Sequence, residues 1–193
     1  METVNKKQLL ETLENRVEGH LEKAIRQFQN LSEKELLQPA ANGGWSIAQC
    51  LEHLNSYGDF YLPQIEKGLG KPSNQSPKDT FKSSWLGNYF IQMMEPTTGK
   101  KKYKAFKGHI PAPNLEAHAV VATFIQQQET LLALLKKAQK TDLNAIRISI
   151  SITRFIKLKL GDVFQFIIAH DERHIQQALR NVSIGEESLK SIR

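Results

Sequence analysis

The sequence predicts an all-α protein of four long helices with one short extended segment. Apolar residues recur at helical spacing in four windows, about residues 5–30, 46–68, 115–140 and 160–182. One stretch, Ile146-Arg147-Ile148-Ser149-Ile150-Ser151-Ile152, alternates apolar and polar residues at the strand period. A third feature is a long Gly- and Pro-containing connection over residues 69–113. The length of 193 residues suits one domain, residues 1–193, with a substantial core.

In the first helix Leu9, Leu10, Leu13, Val17, Leu21, Ala24, Ile25 and Phe28 make the apolar stripe. His20 neighbours the stripe and reads as a partly exposed helix residue. Residues 31–44 read as a connection, broken by Pro39 and the Gly43-Gly44 pair. Ser46-Ile47-Ala48-Gln49 then fits a capping box, with Ser at the N-cap and Gln three positions on. Trp45 can staple onto Cys50. Ile47, Leu51, Leu54, Gly58 and Tyr61 form the second stripe, and Pro63 predicts a kink or an early stop.

Within 69–113, Phe81–Phe90 suggests one short helix. A connection this long is usually a crossover, a lid or a binding loop. Lys100, Lys101, Lys102, Lys104 and Lys107, with Tyr103 and Phe106 between them, make it basic. It reads as a solvated loop, with a grip on phosphate or carboxylate as the alternative. The third helix takes Asn114 as its N-cap. Val120, Val121, Phe124, Ile125, Gln128, Leu131, Leu132 and Leu135 form its core face, and His118 lies at the surface. The last helix carries Asp162 in its first turn, where a carboxylate favours the helix dipole.

Composition excludes little. Apolar residues at 40% and charged residues at 24% describe an ordinary globular protein. A net charge of +6 attracts anions weakly, but no nucleic-acid motif accompanies it, so a nucleic-acid partner is not expected. The single cysteine, Cys50, permits no intrachain disulfide and suits a reducing cytoplasm. Neither a signal peptide nor a membrane-spanning run is visible. The expectation is a cytoplasmic protein, with a homodimer left open.

The chemistry lies in the histidines. His170 and His174 are four residues apart and share one helical face with Val163, Ile167 and Ala178. A buried imidazole needs a partner on each nitrogen, and a metal ion satisfies two rings at once. The zinc motif with two histidines at this spacing uses the same geometry. His53 lies off the centre of the second stripe, on a face with Gln49 and Tyr57. Taken alone it is a boundary histidine.

Trp45-Ser46-Ile47-Ala48-Gln49-Cys50-Leu51-Glu52-His53-Leu54 together with His170-Asp171-Glu172-Arg173-His174-Ile175-Gln176-Gln177 resembles the DinB-like superfamily and its YfiT-like members. The pattern is a Trp-led cap, a histidine eight positions on, and a late pair of histidines four apart. The resemblance implies a four-helix bundle with a long crossover between its second and third helices. It implies a divalent metal on His53, His170 and His174, zinc or nickel first, with iron and manganese open. It also implies a small-molecule substrate, by thiol transfer with a low-molecular-weight thiol or by hydrolysis. Lys159 stands where relatives usually have a small hydroxyl residue, which puts the start of the last helix in question.

Around these three, Gln49 can support His53 or merely close the capping box. Tyr57 can line a pocket, donate a proton or pack in the core. Asp171 and Glu172 can orient imidazoles or lie in solvent. Arg173 can hold an anionic substrate or make a surface salt bridge. Two readings follow: a metal-dependent thiol transferase or hydrolase, and a non-catalytic metal-binding protein of a stress response.

Overall fold

A computed structural model describes the chain except residues 42, 73–75, 99–103 and 191–193, and except the side chains of residues 154 and 183–190. In chain order the elements are β1 (Thr3–Asn5), α1 (Lys6–Lys23), a π-helical turn (Ala24–Phe28), α2 (Glu33–Leu37), α3 (Ile47–Leu69), β2 (Thr80–Lys82), α4 (Trp85–Met94), a 3-10 turn (Lys107–His109), α5 (Ala117–Ala138), β3 (Arg147–Ile150), β4 (Thr153–Lys159) and α6 (Leu160–Lys190). The long helices α1, α3, α5 and α6 form a four-helix bundle. Both α1 and α3 pack on α5 and on α6.

The direction of the helices explains the long connection. Trp45 lies beside His174, His53 beside His170, and Tyr61 beside Phe166, so α3 and α6 run antiparallel. By contrast α3 and α5 run parallel. Ile47, Leu51 and Leu54 share one core cluster with Ala117, Val121 and Phe124, while Tyr61 and Ile65 share the other with Leu131 and Leu135. Parallel neighbours cannot be joined by a tight turn. The chain must travel back along α3, whose 23 residues measure roughly 35 Å at 1.5 Å each.

The helix starts follow local rules, with exceptions. Asn5 caps α1 through Gln8 N. Ser46 and Gln49 close the expected capping box, with Gln49 Oε1 accepting from Ser46 N at 3.0 Å. A second capping box, Ser32 with Glu35, starts α2 inside the segment read as a plain connection. The expected cap at Asn114 is not used: α5 begins at Ala117 after Glu116, without a side-chain cap. Pro63 does not stop α3, which runs on to Leu69. The short helix of the crossover is shifted to Trp85–Met94, because Phe81 belongs to β2. There β2 pairs antiparallel with β1.

The alternating stretch near residue 150 is not an isolated strand. It is one arm of an antiparallel hairpin whose other arm, β4, leads directly into α6. Lys159 does not act there as a hydroxyl cap would. Its Nζ reaches Lys82 O at 2.6 Å, tying the hairpin to β2. Asp162 in the first turn of α6 is fully buried and accepts from Ser84 N and Oγ, the cap residue of α4.

The stripe of α1 needs one correction. Ile25 is exposed, and His20 is fully buried. The buried line is Leu10, Leu13, Val17, His20, Ala24, Phe28. Among the described residues no helix is long and apolar enough to cross a membrane.

Candidate metal centre

Three side chains meet where the two core clusters join. His53 comes from the second turn of α3, near Leu51 and Leu54 of one cluster and Tyr57 of the other. His170 and His174 come from consecutive turns of α6. The i, i+4 spacing stacks them on the face that α6 turns to α3. One ring nitrogen from each of the three lies within 4.8 Å of the others. His53 and His170 are buried and His174 is half-buried.

The hydrogen bonds fix which nitrogens meet. His53 Nδ1 donates to the carbonyl of His109 at 2.6 Å, leaving Nε2 as a bare lone pair. His174 Nδ1 donates to Gln177 Oε1 at 3.1 Å, again leaving Nε2 bare. His170 Nε2 lies 3.2 Å from His53 Nε2. His170 Nδ1 is buried with no hydrogen-bond partner among the described residues.

Electrostatics keep these rings neutral. Burial lowers the His53 pKa to about 4, against the hydrogen bond to the His109 carbonyl, which raises it. Burial and then His53 lower that of His174 to about 3. Burial, then His174 and His53, hold His170 well below the ordinary value. Cationic imidazolium is thereby disfavoured, and neutral imidazole is the form that binds metals. The fit to a divalent ion is good. Donors 2.0–2.1 Å from a tetrahedral ion lie roughly 3.3 Å from one another, and the Nε2 pair is 3.2 Å apart.

Aromatic rings enclose the cluster. Trp45 lies 4.9 Å from His53 and 5.9 Å from His174, ring centre to ring centre. It belongs to the core cluster of Cys50 as well, but its neighbours also include two of the three histidines. Tyr57 sits 5.1 Å from His53 and 4.4 Å from His170. Burial, then Tyr61, pushes its phenol up to about 12, so it stays protonated at neutral pH. Cys50 is buried, its thiol also pushed up to about 12 by burial.

The residues between the two late histidines each reach a different element. Asp171 is buried and accepts from Gln128 of α5, and burial raises its pKa to about 6. Glu172 turns to α1, where His20 Nε2 donates to it at 2.8 Å and Lys23 at 3.0 Å. Neither carboxylate lies free in solvent, and the imidazole that Glu172 orients is His20. Arg173 Nη1 donates to Met93 O at the end of α4, so it straps the crossover to the bundle. Gln49 has its Oε1 in the capping box.

Sequence reasoning missed His109 and Gln177. His109 stands alone in the crossover, with no spacing relation to any other histidine. Gln177 had a usable signal: it lies three positions after His174 on the same helix. Lys100, Lys101, Lys102 and Tyr103 of the basic run lie outside the described residues. Lys104, Phe106 and Lys107 are exposed.

Comparison with curated proteins gives no match. Among solved structures the chain is similar to YfiT from Bacillus subtilis, described as a probable metal-dependent hydrolase with an unusual four-helix bundle topology. The TM-score is 0.53 at 15% identity, covering 94% of this chain and 87% of that one. A family model of the DinB superfamily matches residues 16–178, most of the length and all three converging histidines. The chain therefore belongs to the DinB superfamily.

Proposed function

We propose that His53, His170 and His174 hold a divalent metal ion, zinc or nickel, and that the protein is an enzyme acting on a small molecule by hydrolysis or thiol transfer. The observation that carries this reading is the convergence of three neutral imidazoles within 4.8 Å, with no carboxylate in the group. Three ligands leave an open position, the mark of catalytic rather than structural zinc. The description of YfiT as a probable metal-dependent hydrolase supports the same reading. In this reading residues 1–193 form a single domain around that site.

When bound, such an ion supplies Lewis acidity, lowering the pKa of a water or thiol at its open position. The protein's own residues supply the rest. His109 O and Gln177 Oε1 hold two of the rings in the orientation that offers Nε2. Trp45 and Tyr57 exclude bulk water from the sides, which strengthens electrostatic interactions inside. The exposed Lys104 precedes the turn that carries His109 and the exposed Lys107 begins it, and both favour an anionic substrate or thiol.

The test loads metal-stripped protein with zinc, then nickel. It assays hydrolysis of ester and amide probes, and transfer of several cellular thiols to epoxide or halogenated probes. The expected result is a metal-dependent rate above background with one probe class, lost in His170→Ala. If no metal, probe and thiol combination exceeds the uncatalysed rate while the metal still binds, the catalytic reading fails. A metal-binding protein without turnover then remains.

A further inference from the structure

The structure contains a closed hydrogen-bond circuit that begins and ends on His53. The ring of His53 donates from Nδ1 to the carbonyl of His109 at 2.6 Å. The hydroxyl of Ser56 donates to the carbonyl of His53 at 2.7 Å. Ser56 Oγ also lies 2.9 Å from His109 Nδ1. A serine hydroxyl has one hydrogen, and it is spent on the His53 carbonyl. The contact with His109 therefore requires His109 Nδ1–H to donate to Ser56 Oγ. That closes the ring: His53 to His109, His109 to Ser56, Ser56 back to His53.

The circuit joins two parts of the chain that sequence does not bring together. Ser56 and His53 lie one turn apart on α3, and His109 is 56 residues from His53. The ring of His109 is also held from one side, stacked on Tyr57 at 3.9 Å between centres. The crossover reaches α3 at its Lys107–His109 turn, between the exposed Phe106 and Ile110.

We propose that Ser56 and the His109 side chain are positioning residues: they hold the His109 carbonyl against His53 and so lock His53 in the tautomer that turns an unprotonated Nε2 toward His170 and His174. The imidazole has two neutral tautomers of similar energy, and the bond at one nitrogen decides which is present. A backbone carbonyl in a crossover of more than forty residues, Gly70–Glu116, holds this place only if something fixes it. The Ser56 bond and the Tyr57 stack supply that fixation. This rests on the proposed role of His53 as a ligand, but the lock itself is a property of the metal-free fold.

The experiment uses the full chain and reads two quantities. Long-range proton–nitrogen correlation spectra of metal-free protein give the tautomer of His53, and competition against a chelating dye gives zinc affinity. Wild type is expected to show His53 and His109 both protonated at Nδ1. Ser56→Ala and His109→Ala keep the carbonyl and remove the hold. Each should give a mixed His53 tautomer and a zinc affinity about 10-fold weaker or more, the range for loss of a group that orients a ligand. His109→Asn places an amide N–H near the position of Nδ1. It should restore both readings to within about threefold of wild type.

A purely structural role for His109 predicts no such rescue and no tautomer change. The proposal is overturned if His53 is protonated at Nε2 in wild type, or if its tautomer survives both alanine variants. Ser56→Ala removes one oxygen at a part-buried site, so it keeps the test open should His109→Ala unfold. If the tautomer behaves as stated and no divalent ion binds wild type, the lock stands and the metal reading fails.

Discussion

Two histidine clusters occupy different sides of α6, and they differ in whether a carboxylate is present. On the side facing α3, His170 and His174 meet His53 with no acid in the group. Toward α1, Glu172 receives His20 at 2.8 Å, Lys23 at 3.0 Å and Gln176 at 2.9 Å. The hydrogen bond from His20 does most to hold the Glu172 carboxyl well below its usual range. That second cluster has its anion and its donors together, although His20 Nδ1 is buried with no hydrogen-bond partner among the described residues. In the first, His53 Nε2 accepts from His170 Nε2 at 3.2 Å, His174 Nε2 carries no proton, and no carboxylate stands beside the rings. Burial of a histidine alone does not mark a site; burial without a counter-charge does.

The largest expected difference between the clusters is in metal affinity. His53→Ala, His170→Ala and His174→Ala should each weaken zinc binding by more than about 100-fold, exceeding the effect of losing an orienting partner. His20→Ala should leave it within about threefold. Dye competition measures all four. Far-UV circular dichroism should stay helical throughout, because the apolar stripes supply most of the bundle's stability. Equal losses from His20→Ala and His170→Ala would erase the distinction.

Stability should reverse the order. His20→Ala strips the half-buried Glu172 of its closest donor and should cost about 1–3 kcal/mol in urea unfolding of the metal-free protein. In the same assay His174→Ala removes a half-buried ring whose side-chain hydrogen bond among the described residues is to Gln177, its own helix neighbour, and should cost less.

The pH dependence sharpens the contrast. In the fold, His53 and His174 stay neutral down to about 4 and about 3. An unfolded histidine takes up its proton near 6.5. Between these values the unfolded chain binds more protons, so metal-free stability should fall as the pH drops from 6.5 toward 3. Asp171 acts in the opposite sense. Its raised pKa of about 6 adds stability below 3.8 that is lost as the pH rises through about 6. The double variant His53→Ala with His174→Ala should make the fall below pH 6.5 shallower without abolishing it, because buried His170 and the depressed Glu172 still act in the same sense, measured by denaturant midpoints across the range.

What the sequence made legible follows from these particulars. Of the three converging histidines, two were readable because they share a helical period; His53, taken alone a boundary histidine, was picked out only by the resemblance to the DinB-like superfamily that runs from Trp45 through the capping box. His20 was readable in principle. It falls at the 3,4 spacing of Leu13, Val17 and Ala24, while Leu21 and Ile25 lie beside that line. The apolar identity of Ile25 outweighed the period. His109 was not readable, because a crossover residue has no periodicity and its contact with α3 depends on the path of residues 70–116. The hairpin was half readable: its first arm alternates, but its second, Thr153–Lys159, places Phe155 and Ile156 side by side on the surface.

The smallest expected effect concerns Gln49. Its Oε1 serves the capping box, so Gln49→Ala should cost about 0.5–1 kcal/mol of stability. Zinc affinity should be unchanged in the dye assay. A tenfold loss of affinity would instead make Gln49 a support for His53.

The most direct measurement of the central claim is the metal content of protein purified without a nickel column, stripped, and titrated with zinc. One equivalent per chain should bind wild type and His20→Ala, and none should bind tightly to His170→Ala. Stoichiometric tight binding that survives His170→Ala, or no tight binding by wild type, contradicts the account.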